Sequence, residues 1–326
     1  FHEAWAEAVI NKKFSMKLGR QEIVYDDHRI FGNVDWAMQA RSHDAFVAKY
    51  LPDSNHTIHV GFALNANKES NFKENYLLPQ YKAMQYLWYH GDFKNIGLSF
   101  LFLNNGMPFI DAGKEKVAYS QTIGPRLTYK KGKLNADAAI YLQTGKIGLN
   151  EVSAQYYTAN LNYKAINTFT IGIGAEYLSG KAQDDATTTI KSFNPLYGTN
   201  HKFNGYMDYF YVGNHLNSVG LIDMYANLVY EKNKLMLKLQ PHVFSAAASL
   251  YQAGTKQDNL LATELDLTFA YKLFENVTID GGISKMLATT SMETLKGGNK
   301  DNGNYWGYVS MKFTPKLLSY KNEPKK

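Results

Sequence analysis

Apolar and polar residues alternate along most of this chain. In the segment LNADAAIYLQTG, which begins at residue 134, Leu134, Ala136 and Leu142 share one side, whereas Asn135 and Asp137 lie on the other. A period of two residues is typical of a β-strand with one apolar face. The pattern returns in segments of roughly ten residues, the length that a tilted strand needs to cross a hydrocarbon layer.

The alternation predicts about 15 strands. The connections between successive strands are alternately short turns and long polar loops. This asymmetry is typical of outer-membrane barrels, whose periplasmic turns are short and whose extracellular loops are long. The predicted strands are centred on residues 2–10, 14–24, 36–50, 56–65, 81–90, 96–104, 119–130, 134–143, 151–164, 169–179, 219–230, 235–246, 261–272, 277–287 and 304–314. The long connections are predicted at residues 26–35, 66–80, 105–118, 144–150, 180–217, 247–259 and 288–303.

Composition agrees with strands that cross lipid. The 24 Tyr, 18 Phe and 4 Trp are many for a chain with a mean hydropathy of -0.37, and the 8 Pro are few. A membrane barrel needs only every second residue to be apolar, so low hydropathy does not argue against a membrane location. The sequence contains no apolar run of about 18 residues that would form a helical span. The absence of Cys excludes disulfides, thiolate metal sites and a cysteine nucleophile.

The net charge of +6 arises from 35 basic and 29 acidic residues that are interspersed, which argues against nucleic-acid binding. The chain begins at Phe1 inside a strand pattern, without a visible signal peptide. Because single-chain bacterial barrels have even strand numbers, we expect one or three strands ahead of Phe1 and a total of about 16 or 18. The predicted fold is an all-β, antiparallel transmembrane barrel over residues 1–314, followed by a polar periplasmic tail at 315–326. A soluble all-β fold is the alternative.

In each predicted strand every second residue is polar, so the polar residues share one face. This pattern predicts a water-filled lumen. Its acidic and basic residues roughly balance, which favours small polar solutes over a dedicated polyanion. The residues predicted to line the pore are Lys17, Arg41, His43, His59, Arg126, Asp137, Glu176, Asp223, Lys238, His242, Glu264, Asp266, Asp280 and Lys312.

Residues 181–217 form the longest predicted connection, and they are too rich in aromatic side chains for a loop in water. We expect this loop to fold into the lumen or across its mouth and to narrow the pore. A partner-binding surface loop and a disordered segment are the alternatives. The residues predicted to form the constriction are Phe193, Tyr197, Phe203, Tyr206, Tyr209 and Phe210.

Two blocks of sequence resemble the alginate-export family of outer-membrane porins, in particular the versions found in Bacteroidetes. The first is MKLGRQEIVYDDHRIFGNVDW followed by ARSHDAFVAKY, and the second is FNPLYGTNHKFNGYMDYF followed by GLIDMYANLVYEKNKLMLKLQPHVF. The resemblance covers about half of the chain and implies a barrel of about 18 strands with a polar pore. It does not by itself imply alginate as the solute. The residues that match the family motif are Gly19, Arg20, Gln21, Arg29, Trp36, Arg41 and Asp44.

The motif residues suggest a network of charges inside the barrel wall. Strict alternation from Phe14 turns Arg20 toward lipid, which costs roughly 2 to 4 kcal/mol at mid-depth. An irregularity at Gly19 would instead turn Arg20 inward, because glycine often marks a bulge. A structural ion network is the main interpretation, and solute selectivity is the alternative.

Metal binding and catalysis have little support in the sequence. The pairs His56 with His59 and His201 with His215 lack the spacing of a metal site. Asp26 with Asp27 and Asp184 with Asp185 offer oxygen ligands for Ca²⁺, although charged loop residues in solvent explain them equally well. No nucleophile motif or phosphate loop is present, so no enzymatic activity and no cofactor are predicted.

The sequence therefore predicts a porin-like channel in the bacterial outer membrane for passive diffusion of small hydrophilic solutes. The partners would be outer-membrane lipid and a small polar solute or a saccharide. One alternative is a dedicated exporter of a saccharide or polyuronate such as alginate. Another is a barrel that transports nothing and serves as a scaffold or receptor for an envelope protein.

Overall fold

The computed structural model describes residues 1–66 and 76–316, and these residues form an almost entirely β structure. A short α-helix, α1 (Thr290–Lys296), follows one of the last strands, and a 3-10 turn covers Val212–Asn214. The strands are β1 (Ala4–Asn11), β2 (Phe14–Gln21), β3 (His43–Tyr50), β4 (His56–Leu64), β5 (Ala83–Phe93), β6 (Ile96–Asp111), β7 (Lys114–Lys131), β8 (Leu134–Ile147), β9 (Asn150–Glu151), β10 (Ala154–Ile166), β11 (Phe169–Leu178), β12 (Leu221–Lys232), β13 (Leu235–Ser245), β14 (Tyr251–Gln252), β15 (Thr255–Lys256), β16 (Leu260–Phe274), β17 (Val277–Ala288) and β18 (Asn304–Phe313).

The long strands form one antiparallel meander. Each of them pairs with the next long strand along the chain, so that the described residues make a 16-stranded sheet whose order runs from β1 to β18. The two-residue β9 pairs only with β8, and β14 with β15 forms a separate small hairpin. This order is the one expected when tight turns and long loops alternate between neighbouring strands.

The 15 predicted strands match the 15 long strands of the described residues in order, but three boundaries were wrong. The strand predicted at 36–50 begins only at His43, because the chain before it turns through Val34 and Ala40, which have φ of 55° and 47°. The connection predicted at 105–118 is a continuation of β6 and β7 that turns at residues 112–113. Likewise β8 continues through the connection predicted at 144–150 and ends at Ile147. The connections at 247–259 and 288–303 hold β14, β15 and α1.

Two predictions fall partly outside the described residues. The connection predicted at 66–80 includes residues 67–75, and the tail predicted at 315–326 includes residues 317–326. Within residues 1–66 and 76–316, no helix is long and apolar enough to cross a membrane.

The outer face of the sheet is apolar. Ile173, Leu267 and Val309 expose 64%, 47% and 79% of their surface, and similarly oriented residues of the other strands are also exposed. An apolar surface that continues around a meander of this size is unfavourable in water and matches the lipid-facing band of a membrane barrel.

Candidate functional site

The opposite face of the sheet carries the charged residues and encloses two long connections. Of the residues predicted to line the pore, His43, Arg126, Glu176, Asp223, His242, Glu264 and Asp266 are buried. Lys17, His59, Asp137, Lys238 and Asp280 are partly buried, whereas Lys312 at the end of β18 is exposed. Arg41 lies in the connection before β3 rather than on a strand.

The connection at residues 181–217, called the long loop below, lies against the inner face of the sheet. Phe193, Tyr197 and Phe210 are at most 4% exposed, so these side chains form a packed core and do not border open space. Phe203, Tyr206 and Tyr209 are partly buried. The wall holds the loop through polar contacts as well. Gln143 donates to the Asn194 carbonyl at 2.7 Å and accepts from its backbone N–H at 2.9 Å, and the Tyr197 hydroxyl donates to Asn105.

The tip of the long loop, defined here as residues 199–208, is anchored by two carboxylates of β16. The backbone N–H of Tyr206 donates to Asp266 at 3.2 Å, and the N–H of Met207 donates to Glu264 at 2.9 Å. Gly205 makes this approach possible because it has φ of 82° and because a Cβ there would lie 2.6 Å from the Glu264 carboxyl carbon. The bond to Asp266 is charge-assisted and therefore stronger than one between neutral groups.

A buried ionic network joins the tip to a second connection. Arg29, which is 1% exposed, donates to Glu176 at 2.9 Å and to the Asn204 side-chain oxygen at 3.0 Å. The Asn204 amide in turn donates to Glu176 at 2.9 Å and to Asp223 at 3.2 Å. His242 lies 2.8 Å from Asp223 and completes the network. Asn204 had not been identified from the sequence, because a single loop Asn carries no signal until the fold places it between two carboxylates.

Arg29 belongs to residues 22–42, called the short loop below, and this loop runs alongside the long loop. The N–H of Gly32 donates to the Tyr197 carbonyl at 2.8 Å, and the N–H of Thr199 donates to the His28 carbonyl at 2.9 Å. Arg41 donates to the Gly198 carbonyl at 2.6 Å. The two loops therefore form one folded unit on the inner face.

A second group of charges lies beside the tip. Arg126 contacts Asp27 of the short loop at 2.6 Å and Asp137 of β8 at 2.5 Å. Lys202 at the tip is exposed, and its ammonium donates to the Asp27 carbonyl at 2.8 Å. The surrounding protein removes part of the water around the Lys202 ammonium. This disfavours the charged form and lowers the pKa of Lys202. Cations and carboxylates thus alternate along the inner face.

The motif residues do not form the single network that the sequence suggested. Arg20 pairs bidentately with Asp44, with both bonds at 2.8 Å, and both side chains are about half exposed. They share the outer face with Leu18 and Phe46, so Gly19, despite its φ of 124°, does not turn Arg20 inward. The pair lies at the ends of β2 and β3 that border the long connections, where the lipid headgroup region lowers the cost of charge. Gln21 instead faces inward and donates to the Ala45 carbonyl at 2.9 Å. Trp36 contacts His201 of the tip.

The acidic pairs considered as calcium ligands have other partners. Asp26 accepts hydrogen bonds from Ser99 and Trp88, Asp27 pairs with Arg126, and Asp185 pairs with Lys191 at 2.6 Å. No group of three or more potential metal ligands occurs within the described part of the chain.

One set of side chains has the composition of a hydrolase triad. His90 Nδ1 lies 2.9 Å from the Ser99 hydroxyl, and its Nε2 lies 3.3 Å from Asp92. However, Ser99 is only 4% exposed and donates its proton to Asp26 at 2.5 Å rather than to the imidazole. The serine therefore does not donate to the histidine as a triad requires, and it is not accessible to a substrate.

Comparison with known proteins identifies the family. A family model described as "Alginate export" matches residues 1–320. The chain belongs to the alginate export family. The protein is therefore an outer-membrane β-barrel channel of bacteria. None of the curated protein sequences matches this chain significantly.

Solved structures similar to this alginate-export family chain are outer-membrane β-barrels of low sequence identity. Pseudomonas aeruginosa OccK10 (OpdN) has a TM-score of 0.63 and 8% identity, with 94% of this chain and 82% of that chain covered. P. aeruginosa OccK8 (OprE) has a TM-score of 0.62 and 11% identity, with coverages of 96% and 80%. Acinetobacter baumannii OccAB4 has a TM-score of 0.58 and 11% identity, with coverages of 92% and 72%. They support the barrel fold of the family.

Proposed function

We propose that this outer-membrane channel conducts small hydrophilic solutes by passive diffusion, and that the long loop sets its narrowest region. The observation that carries the proposal is the attachment of the tip to the inner face by Asp266, Glu264 and Arg29. A loop held by these bonds occupies part of the lumen and leaves a polar surface for solute.

The charges of the inner face favour a broad solute range. Arg126 is flanked by Asp27 and Asp137, and Arg29 is flanked by Glu176. Because these cations are neutralised by carboxylates a few ångströms away, they present alternating signs rather than a continuous positive surface. Such a lumen suits small polar solutes of either sign better than a long polyanion.

The proposal is tested with purified full-length protein in planar bilayers. We expect discrete conductance steps, a small preference between K⁺ and Cl⁻, and an increase in conductance when residues 185–212 are replaced by a short Gly/Ser linker. A protein that inserts and folds but gives no steps in either form contradicts the channel proposal. Loss of a bound envelope protein without any change of current would support the scaffold alternative.

Export of an acidic polysaccharide is the second candidate, and the family membership favours it. The same bilayer experiment separates the two candidates. An exporter should be blocked by micromolar oligouronate from the side of the short turns and should strongly prefer anions, whereas the diffusion channel should respond little to a neutral or acidic oligosaccharide of equal length.

A further inference from the structure

An aromatic box surrounds one histidine at the tip of the long loop. The box consists of Trp36 on the short loop, Tyr206 on the tip, and Trp306 and Tyr308 on the inner face of β18. The imidazole of His201 lies between them, with its ring centroid 4.1 Å from Trp36, 4.7 Å from Trp306, 5.1 Å from Tyr206 and 6.3 Å from Tyr308. The interplanar angle with Trp36 is 21°, so these two rings are stacked.

The polar atoms of His201 indicate what the box accommodates. Its side chain is 5% exposed, and Nδ1 lies 3.3 Å from an oxygen of Asp208. The other nitrogen, Nε2, is buried without a hydrogen-bond partner, and so is the second oxygen of Asp208. A neutral imidazole leaves a lone pair of Nε2 unsatisfied among ring faces. A protonated imidazole directs an N–H at those faces and forms an ion pair with Asp208, and aromatic faces attract cations.

We propose that this box is a cation-binding site and that protonated His201 is the ligand it holds. Binding then docks the tip of the long loop onto β18 and onto the short loop. The contact is strongest when His201 is charged, and it weakens when the imidazole loses its proton. The inference rests on the proposed channel function only for its consequence, a lumen that is narrower in acid than in neutral solution.

Within residues 1–66 and 76–316, few other charged groups surround the box. On the tip, Lys202 adjoins His201 in sequence, and Asp208 contacts its Nδ1. From β13, Lys238 contacts the Tyr206 hydroxyl at 3.5 Å, and from β16, Asp266 accepts the Tyr206 N–H. From β17, Asp280 accepts a hydrogen bond from Ser310 beside Tyr308. Asp35 adjoins Trp36 on the short loop. Four carboxylates and two lysines thus lie near the box in the described residues.

Tryptophan fluorescence tests the binding site without any need for conduction. The chain has 4 Trp, so a W5F/W88F background leaves only Trp36 and Trp306. In that background we expect the emission to fall between pH 8 and pH 5, since a stacked imidazolium quenches an indole, and we expect H201F to abolish this titration. Phenylalanine retains a ring in the box but has no proton to gain. An unchanged titration in H201F would overturn the proposal.

A second variant keeps the test decisive if H201F perturbs the loop. D208N removes the carboxylate, which is 37% exposed at its side chain, and leaves the ring contacts intact. We expect the fluorescence midpoint to fall by about one pH unit, because an opposite charge at this distance favours the protonated imidazole. An unchanged midpoint in D208N contradicts the ion pair on which the site depends.

Bilayer recordings then test the consequence for the lumen. The conductance of the wild type divided by that of H201F should be lower at pH 5 than at pH 8, and equal ratios would show that the box does not affect the lumen. Division by H201F at each pH removes the effects of other titrating groups. If neither protein conducts, the channel proposal fails, while the fluorescence titration still decides the binding site.

Discussion

Arg29 and Glu176 form an ion pair of 2.9 Å with both side chains at most 4% exposed. One residue comes from the short loop and the other from β11, and Asn204 of the long loop bonds to both. This contact therefore fixes two loops to the inner face at one point. Burial alone makes a charge unfavourable, so either residue without the other would be strongly destabilising.

Replacement of Arg29 should consequently reduce stability much more than replacement of Arg20, the motif arginine that pairs with Asp44. We expect R29Q to cost about 3 to 5 kcal/mol, because it leaves Glu176 buried without a cation. R20Q breaks an exposed pair with Asp44 and should cost no more than about 1 kcal/mol. Thermal unfolding of both variants in the same detergent, followed by circular dichroism, measures the difference, and similar losses would contradict the assigned burial.

The double variant R29Q/E176Q gives an independent check. Because it removes both charges, it should be more stable than R29Q. If the double variant is as unstable as the sum of the single variants, the two residues do not interact in the folded protein.

Substitution of Gly205 should release the tip. G205A places a Cβ against the Glu264 carboxyl group and also requires alanine to adopt a φ of 82°. G254A is the matched control, since Gly254 has φ of 81° and no atom within 4 Å of an added Cβ. The control should cost about 1 kcal/mol from backbone strain alone, whereas G205A should cost more and should raise the open-channel conductance. Equal effects would show that Glu264 does not hold the tip.

Loss of the two carboxyl groups of β16 should also release the tip. E264Q/D266N removes the negative charge that the two neighbouring carboxyl groups carry together, so the bonds to the N–H groups of Tyr206 and Met207 lose their charge assistance. Hydrogen exchange of residues 199–208 should accelerate relative to that of the β12–β13 wall. Protection that is unchanged in this variant would assign the anchoring to other contacts.

Acid should loosen the other end of the long loop. Burial lowers the pKa of His215 to about 3, and its Nε2–H donates to the Phe210 carbonyl at 3.0 Å. Since the folded loop holds this imidazole neutral, its stabilising contribution is complete above the ordinary histidine value and decreases as pH falls toward 3. Proteolysis of residues 209–217 should increase between pH 7 and pH 4, and H215Q should reduce that increase. This effect opposes the one proposed for His201, and the two variants separate them.

The sequence predicted the strands well because a wall between lipid and lumen requires apolar and polar residues to alternate. This alternation is visible within a single segment of the sequence. It placed Glu264 and His242 on the polar face, and both are buried there in the structure. It was wrong about residues 105–118, where Asn105 and Gly106 suggested a loop. Their backbones are instead held by the ladder with Ser120 and Tyr119, a contact between distant residues that overrides local propensity.

The candidate site was predicted less completely. Composition showed that residues 181–217 were too aromatic for solvent, and the loop does lie on the inner face. The pattern did not show that Phe193 and Phe210 form a packed core, nor that Asn204 and Gly205 connect Arg29 with Glu264. Such contacts depend on where two loops meet in the folded chain, and the hydrophobic pattern of the sequence does not indicate that position.

The sequence by itself determined the antiparallel meander and its two faces, since a period of two residues sorts side chains between lipid and lumen without reference to any distant contact. Only the tertiary structure decided that Arg20 and Asp44 stay on the outer face while Arg29 joins Glu176 within. The physical reason is that a charge is placed by the partner and the hydration it finds in the folded chain, and both are properties of three-dimensional proximity rather than of order along the sequence.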